Sequence, residues 1–74
     1  MNRLYTAYIE KDVESGMFVG HIPGITGAHT CAGSIDELHE KLREVVSLCL
    51  EEMDEEDIDR LPFFAGISQI EVAV

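Results

Sequence analysis

Ser34–Met53, SIDELHEKLREVVSLCLEEM, is the stretch whose reading decides the fold. At about 100° per residue, Ile35, Leu38, Leu42, Val45, Val46, Cys49 and Met53 fall within one arc of roughly 100°, the width of a core-facing stripe. The opposite arc holds Asp36, Glu37, Glu40, Lys41, Glu44, Ser47, Glu51 and Glu52. Ser34 with Glu37 three residues on fits a capping box, so the helix is predicted to start just after Ser34. One residue is out of place: Leu48 falls among Glu37, Lys41, Glu44 and Glu52 on the polar side.

Upstream of this helix the chain is strand-like. Arg3 to Glu10, RLYTAYIE, alternates, with Tyr5, Ala7 and Ile9 on one face and Leu4, Thr6 and Tyr8 on the other. That second face is half apolar, which marks Leu4 and Tyr8 as candidates for an interface with another subunit. KDVESG, ending at Gly16, is a charged turn signal. Met17 to Ile22 returns as the second strand of an antiparallel hairpin. Pro23, which lacks an N–H, ends that pairing, and Gly24 and Gly27 break the chain further. Ala28 to Ala32 makes a brief third strand, an edge or near-edge one.

Downstream, DEEDIDRLP is an acidic surface loop with room for one helical turn around Ile58. Phe63 and Phe64 are expected to plug the bottom of the core. Ile67 to Val74 alternates, with Ile70, Val72 and Val74 against Gln69, Glu71 and Ala73, and reads as a final strand. The expected fold is α+β, in the order β-β-β-α-β. A strand after a helical crossover usually runs parallel to one already in the sheet. The expectation is therefore a four-stranded mixed sheet with the helix on one face and the other face open.

Seventy-four residues make one domain, and at this size only about 60% of the unfolded surface can be buried. Self-association is a common supplement for so small a core. The formal net charge is −10, from fifteen acidic and five basic residues, and twelve of the acids lie at or after Asp36. Such a chain repels a phosphate backbone, which argues against direct nucleic-acid binding, and attracts a basic partner. The plainer reading is that acid keeps a small protein soluble. Cys31 and Cys49 do not form a disulfide framework, and Cys49 on the apolar arc is a small core residue. No signal peptide opens the chain and no apolar run reaches the roughly 20 residues of a membrane span, so a cytoplasmic protein is expected.

The residues that could carry chemistry form weak patterns. His29 and Cys31 share a strand face, with His21 on the neighbouring strand, but no CxxC or HxxxH pairing accompanies them. As a nucleophile pair, Cys31 and His29 lack an orienting third group and a Gly-rich oxyanion loop. Glu10, Asp36 and Glu71 sit near element ends where carboxylates could hold magnesium. The helix-opening acids, however, already complement the helix dipole. The expectation is no catalytic residue, no metal and no cofactor.

The order of these local words resembles the HicB-like antitoxins of prokaryotic toxin–antitoxin modules. The words are a first strand ending Ile9-Glu10-Lys11-Asp12, Gly16 before Phe18, Pro23 four residues before Gly27, His29-Thr30, and the capped helix from Ser34. The resemblance runs from Tyr5 to about Met53, and the tail with Phe64, Gly66 and Ile70-Glu71-Val72 looks like the end of short members. It departs at Ile25-Thr26-Gly27, where Leu-Pro-Gly is common, at Gly27-Ala28, where Gly-Cys is usual, and at Gly33 before the cap. The resemblance implies a partial ribonuclease H-like fold without that nuclease's carboxylate set. It also implies a small basic ribonuclease toxin, HicA, as partner, and assembly into dimers or larger oligomers. Residues 1–74 are read as one HicB-like domain lacking the helix-turn-helix or ribbon-helix-helix segment of many members, so operator binding is not carried over.

Together these readings point to a non-catalytic, antitoxin-like interaction protein and homo-oligomer. The candidate partner-binding residues are Glu40, Glu44, Leu48, Glu51 and Glu52, and the candidate oligomer-interface residues are Leu4 and Tyr8. The competing expectations are a small magnesium-dependent nuclease or hydrolase, and an orphan ligand-binding or oligomerisation domain.

Overall fold

The structure, a computed structural model, describes residues 3–74. Three strands, β1 (Tyr8–Lys11), β2 (Phe18–His21) and β3 (His29–Ala32), precede helices α1 (Ile35–Glu51) and α2 (Glu55–Asp59). The strands form one antiparallel sheet in the order β1-β2-β3, so β1 and β3 are both edges.

Local chemistry sets each corner. Between β1 and β2, the Asp12 carboxylate accepts from the Ser15 N–H at 3.0 Å and its hydroxyl at 2.6 Å, a local side-chain-to-backbone bond that holds the turn. Asp12 N–H donates to Met17 C=O and Gly16 N–H to Asp12 C=O, closing the hairpin. Between β2 and β3, Ile25 N–H donates to Ile22 C=O and Ala28 N–H to Ile25 C=O, two successive turns. Pro23 followed by Gly24 at φ 86° is the residue pair a type II turn requires. A side chain at Gly24 would also run into the Pro62 ring, so this glycine both turns the loop and seats the chain beyond α2 against it.

Sheet pairing starts later than the alternation of residues 3–10 suggested. Tyr8 registers with His21, and the next residue on β2, Ile22, gives its N–H to Ala28. Pro23 has none to give, and among the described residues, residues 3–7 have no ladder partner, although Tyr5 and Ala7 still pack against the core.

Ser34 caps α1 as expected, its Oγ accepting from Glu37 N–H at 3.2 Å. The Glu37 carboxylate turns instead to Lys41, 3.4 Å away, and Lys41 Nζ donates to the Cys31 carbonyl on β3 at 3.2 Å. The helix lies mainly over β3 and β2. Its stripe buries Leu38 and Leu42 against Ala32, and Val46 against Ile22, Ile25 and Ala28. Gly20 on β2 lets it come close: an added Cβ would sit 2.9 Å from Leu42 Cδ1 and 3.2 Å from Leu38 Cδ2.

Three expectations are corrected. The four-stranded mixed sheet is not formed: among the described residues the sheet has three strands, all antiparallel. The segment expected as the final strand, Ile67–Val74, has no strand partner, and its apolar residues stand in solvent, with Ile67, Ile70 and Val72 at 81%, 78% and 68% exposure. Phe63 and Phe64 do not plug the core; both are exposed, and Leu50, Met53 and Leu61 close that end instead. The cause is the route of the chain. Leu61 and Pro62 dock on the Gly24 turn, and Phe64 then stacks edge-on against Tyr8, their centroids 6.2 Å apart. Because Gly20 points at the helix, its alternating neighbour His21 and the registered Tyr8 point away from it. The tail therefore leaves on the open side of the sheet. The expected helical turn around Ile58 is present as α2.

Candidate functional site

Two surfaces gather the residues singled out by sequence. The first is the outer side of α1. Glu40, Glu44 and Leu48 follow one another at helical i, i+4 spacing, and Glu51 and Glu52 continue the row. All five are exposed, Leu48 at 63%, and the row is about 18 Å long at 1.5 Å per residue.

The acids at its lower end are placed against the helix dipole. A helix C-terminus carries partial negative charge and is stabilised by cations, yet the last turn of α1 holds no basic residue. Beyond it, Glu55, Glu56 and Asp57 occupy the first turn of α2, where acids are favourable. The acidic side chains thus accumulate around residues 51–59, where the C-terminus of α1 adds its own partial negative charge. Lys41, on α1's polar side, is already held by Glu37 and the Cys31 carbonyl.

The second surface is the open face of the sheet. Tyr8 stacks on His21, ring centroids 5.6 Å apart, and on Phe64. His21 registers with His29, and Val19 with Cys31, so the two imidazoles and the thiol share this face. Tyr8 sits at the β1 edge of this face beside Phe64, whereas Leu4 lies on the unpaired lead-in to β1, fully exposed. The face is flat and mixed, aromatic at the β1 edge and polar toward β3.

Among the described residues, no three His, Cys, Asp or Glu side chains converge to hold an ion. Glu10 lies on β1, Asp36 in the first turn of α1 and Glu71 on the exposed tail, three separate places. Cys31 and Cys49 are both free thiols. Cys49 donates to the Thr26 carbonyl at 3.6 Å and packs on the Ile22–Val46 cluster, the core position its place on the apolar arc suggested. Among the acids, Asp12 is held below the usual carboxylate range by the two Ser15 hydrogen bonds, which favour its charged form. It serves the hairpin and not a site.

A third feature was not anticipated from sequence. On the helix side, a groove opens between β1 with its lead-in and α1, lined by Ala7, Ile9, Leu42, Val46, Leu50 and Arg43. It exists because α1 lies over β2 and β3, leaving the β1 side of its apolar stripe unroofed.

Among the described residues, no helix is long and apolar enough to cross a membrane. No family model matches the chain, and no solved structure matches it. Curated relatives do. A UPF0150 protein of Thermotoga maritima is 38% identical over 72 residues, covering 97% of this chain and 93% of its own length. One of Synechocystis is 38% identical over 64 residues, covering 86% of this chain and 87% of its own. One of Archaeoglobus fulgidus is 39% identical over 69 residues, covering 92% of this chain and 93% of its own. The likeness spans strands, helices and tail together, and the chain belongs to the UPF0150 family.

Proposed function

We propose that this UPF0150 chain is a binding protein without catalytic machinery of its own, antitoxin-like, which captures a small basic protein on the outer side of α1. The observation that carries this reading is the row Glu40, Glu44, Leu48, Glu51 and Glu52, exposed along one side of the helix and ending in a turn with no base. Acids that oppose their own helix dipole cost stability, of the order of 0.3–1 kcal/mol each. A cationic partner converts that cost into attraction and speeds encounter. Leu48 supplies an apolar contact in the middle of the row, the arrangement of a desolvated centre with a charged rim. The HicB-like resemblance gives the partner's class, a basic HicA-type ribonuclease, whose RNA-holding surface has the complementary charge. It also gives the place of action, the cytoplasm.

Co-expression with a short basic neighbouring reading frame tests this. The chain should restore growth and co-purify with that product, and Glu44→Lys with Glu51→Lys should abolish both. Rescue that survives the double reversal would refute the assigned surface. Magnesium-dependent cleavage of RNA or DNA by the purified chain, lost in Glu71→Gln, would replace the reading with a nuclease.

A further inference from the structure

We propose that the C-terminal segment Ile67–Val74 of one copy adds as a strand to the free β1 edge of a second copy, and reciprocally, so that two chains form an exchanged dimer. Five observations converge on this occupant. First, the segment has the period-2 pattern of a half-buried strand, Ile70, Val72 and Val74 on one side, and buries none of it in its own copy. Second, β1 is an edge, with an unpaired row of backbone N–H and C=O groups of the kind that templates strand addition.

Third, the groove between β1 and α1 is apolar where an added strand would turn its inward side chains, at Ile9, Leu42, Val46 and Leu50. Fourth, the molecule is too open for its mass. Its surface is 6403 Å², against about 4,500 Å² for a compact monomer of 8.2 kDa. Its radius of gyration is 14.2 Å, against about 11 Å for a 74-residue domain. The excess, about 1,900 Å² per chain, is more than the roughly 800 Å² that each partner of a standard stable interface buries.

Fifth, charge selects this seam for two like-charged chains. Residues 3–11 carry Arg3, Lys11 and Glu10, a net +1, and residues 61–74 carry Glu71 alone, a net −1, in a chain of −10. Everywhere on the acidic helices two copies repel; here they meet with opposite sign. The departure of the tail past Phe64 on the open side of the sheet, away from its own copy's groove, is what favours a second copy over the first as the acceptor. The seam is separate from the acidic row on α1, so it stands or falls independently of the partner proposed above.

The test uses the full chain. Light scattering after size exclusion should give twice the 8.2 kDa chain mass. Ile70→Asp with Val72→Asp should raise the dimer dissociation constant by on the order of a hundredfold or more, since each copy loses two aliphatic side chains from a buried seam. Far-UV circular dichroism of that variant should keep the α1 signal, because neither side chain is buried within its own copy. In an equal mixture of isotope-labelled and unlabelled chains, filtered NOE spectra should show contacts between residues 67–74 of one copy and β1 of the other. A monomeric wild type, a double variant that stays dimeric, one that loses its helix, or tail–β1 contacts confined to a single copy would each overturn the proposal.

Discussion

Gly20→Ala probes how closely α1 sits on the sheet. The new methyl would lie 2.9 Å from Leu42 Cδ1 and 3.2 Å from Leu38 Cδ2, where carbon atoms rest at about 3.5–4.0 Å. Both leucines are buried, so neither can swing into solvent. Either the helix lifts by several tenths of an ångström or the leucines leave their rotamers, at about 0.5–1.5 kcal/mol each. Overpacking of this kind costs about 1–3 kcal/mol. Replacing a strand glycine returns about 0.5–1 kcal/mol of backbone entropy. The packing term wins, leaving a net loss of about 1–2 kcal/mol. For a domain of this length that lowers Tm by roughly 5–15 °C, at about 4–8 °C per kcal/mol. The assay is thermal and urea denaturation by circular dichroism at one fixed protein concentration, because self-association makes Tm concentration-dependent. Gly33→Ala is the control, since a Cβ there meets nothing within 4 Å, and it should be neutral or slightly stabilising. Leu42→Ala makes room, so the Gly20→Ala/Leu42→Ala pair should be more stable than the sum of the single losses, by about 0.5–3 kcal/mol of coupling. A Gly20→Ala chain as stable as Gly33→Ala, or strict additivity with Leu42→Ala, would refute the close helix–sheet contact.

Ser34→Ala removes the acceptor of the Glu37 N–H and should cost about 1 kcal/mol in the same melts, while Ser34→Asp should keep most of it. Asp12, whose folded pKa is lowered by Ser15, contributes stability that is complete above the ordinary aspartate pKa of about 3.9 and is lost as pH falls through the lower folded value. Carboxyl NMR titration should therefore show Asp12 below the usual range, Ser15→Ala should return it there, and Asp12→Asn should flatten the acid limb of the stability profile below about pH 4. Leu48→Glu adds a like charge four residues from Glu44 and from Glu52, at about 0.2–0.5 kcal/mol each. It should leave the fold intact by circular dichroism while weakening partner capture in the co-purification assay, and a chain that unfolds instead would place Leu48 in the core.

The legible parts of this protein are those governed by short-range rules. The arc from Leu38 to Met53, though not its first member Ile35, which is exposed, the Ser34 cap, the Pro23-Gly24 turn and the KDVESG hairpin each rest on residues close in sequence, whose backbone preferences and spacing act before any tertiary contact forms. The shared face of His29 and Cys31 follows from alternation alone, as does the exposure of Leu48 from the helical wheel.

What the tertiary structure decided is where the long-range partners are. Alternation in Ile67–Val74 says that one side of the segment seeks burial, but it carries no information about which edge, or which copy, supplies the partner strand. Phe63 and Phe64 are apolar enough for the core, yet Pro62 docked on Gly24 sends Phe64 to the open face beside Tyr8 and leaves Phe63 in solvent. Residues 3–7 read as strand, yet among the described residues they have no ladder partner. The sequence by itself determined the helix, its polar and apolar sides and the turns, because those are set by local periodicity and capping. The three-stranded sheet, the unroofed groove beside β1 and the free tail were decided only in three dimensions, because hydrogen-bond partners and packing space belong to the assembled fold.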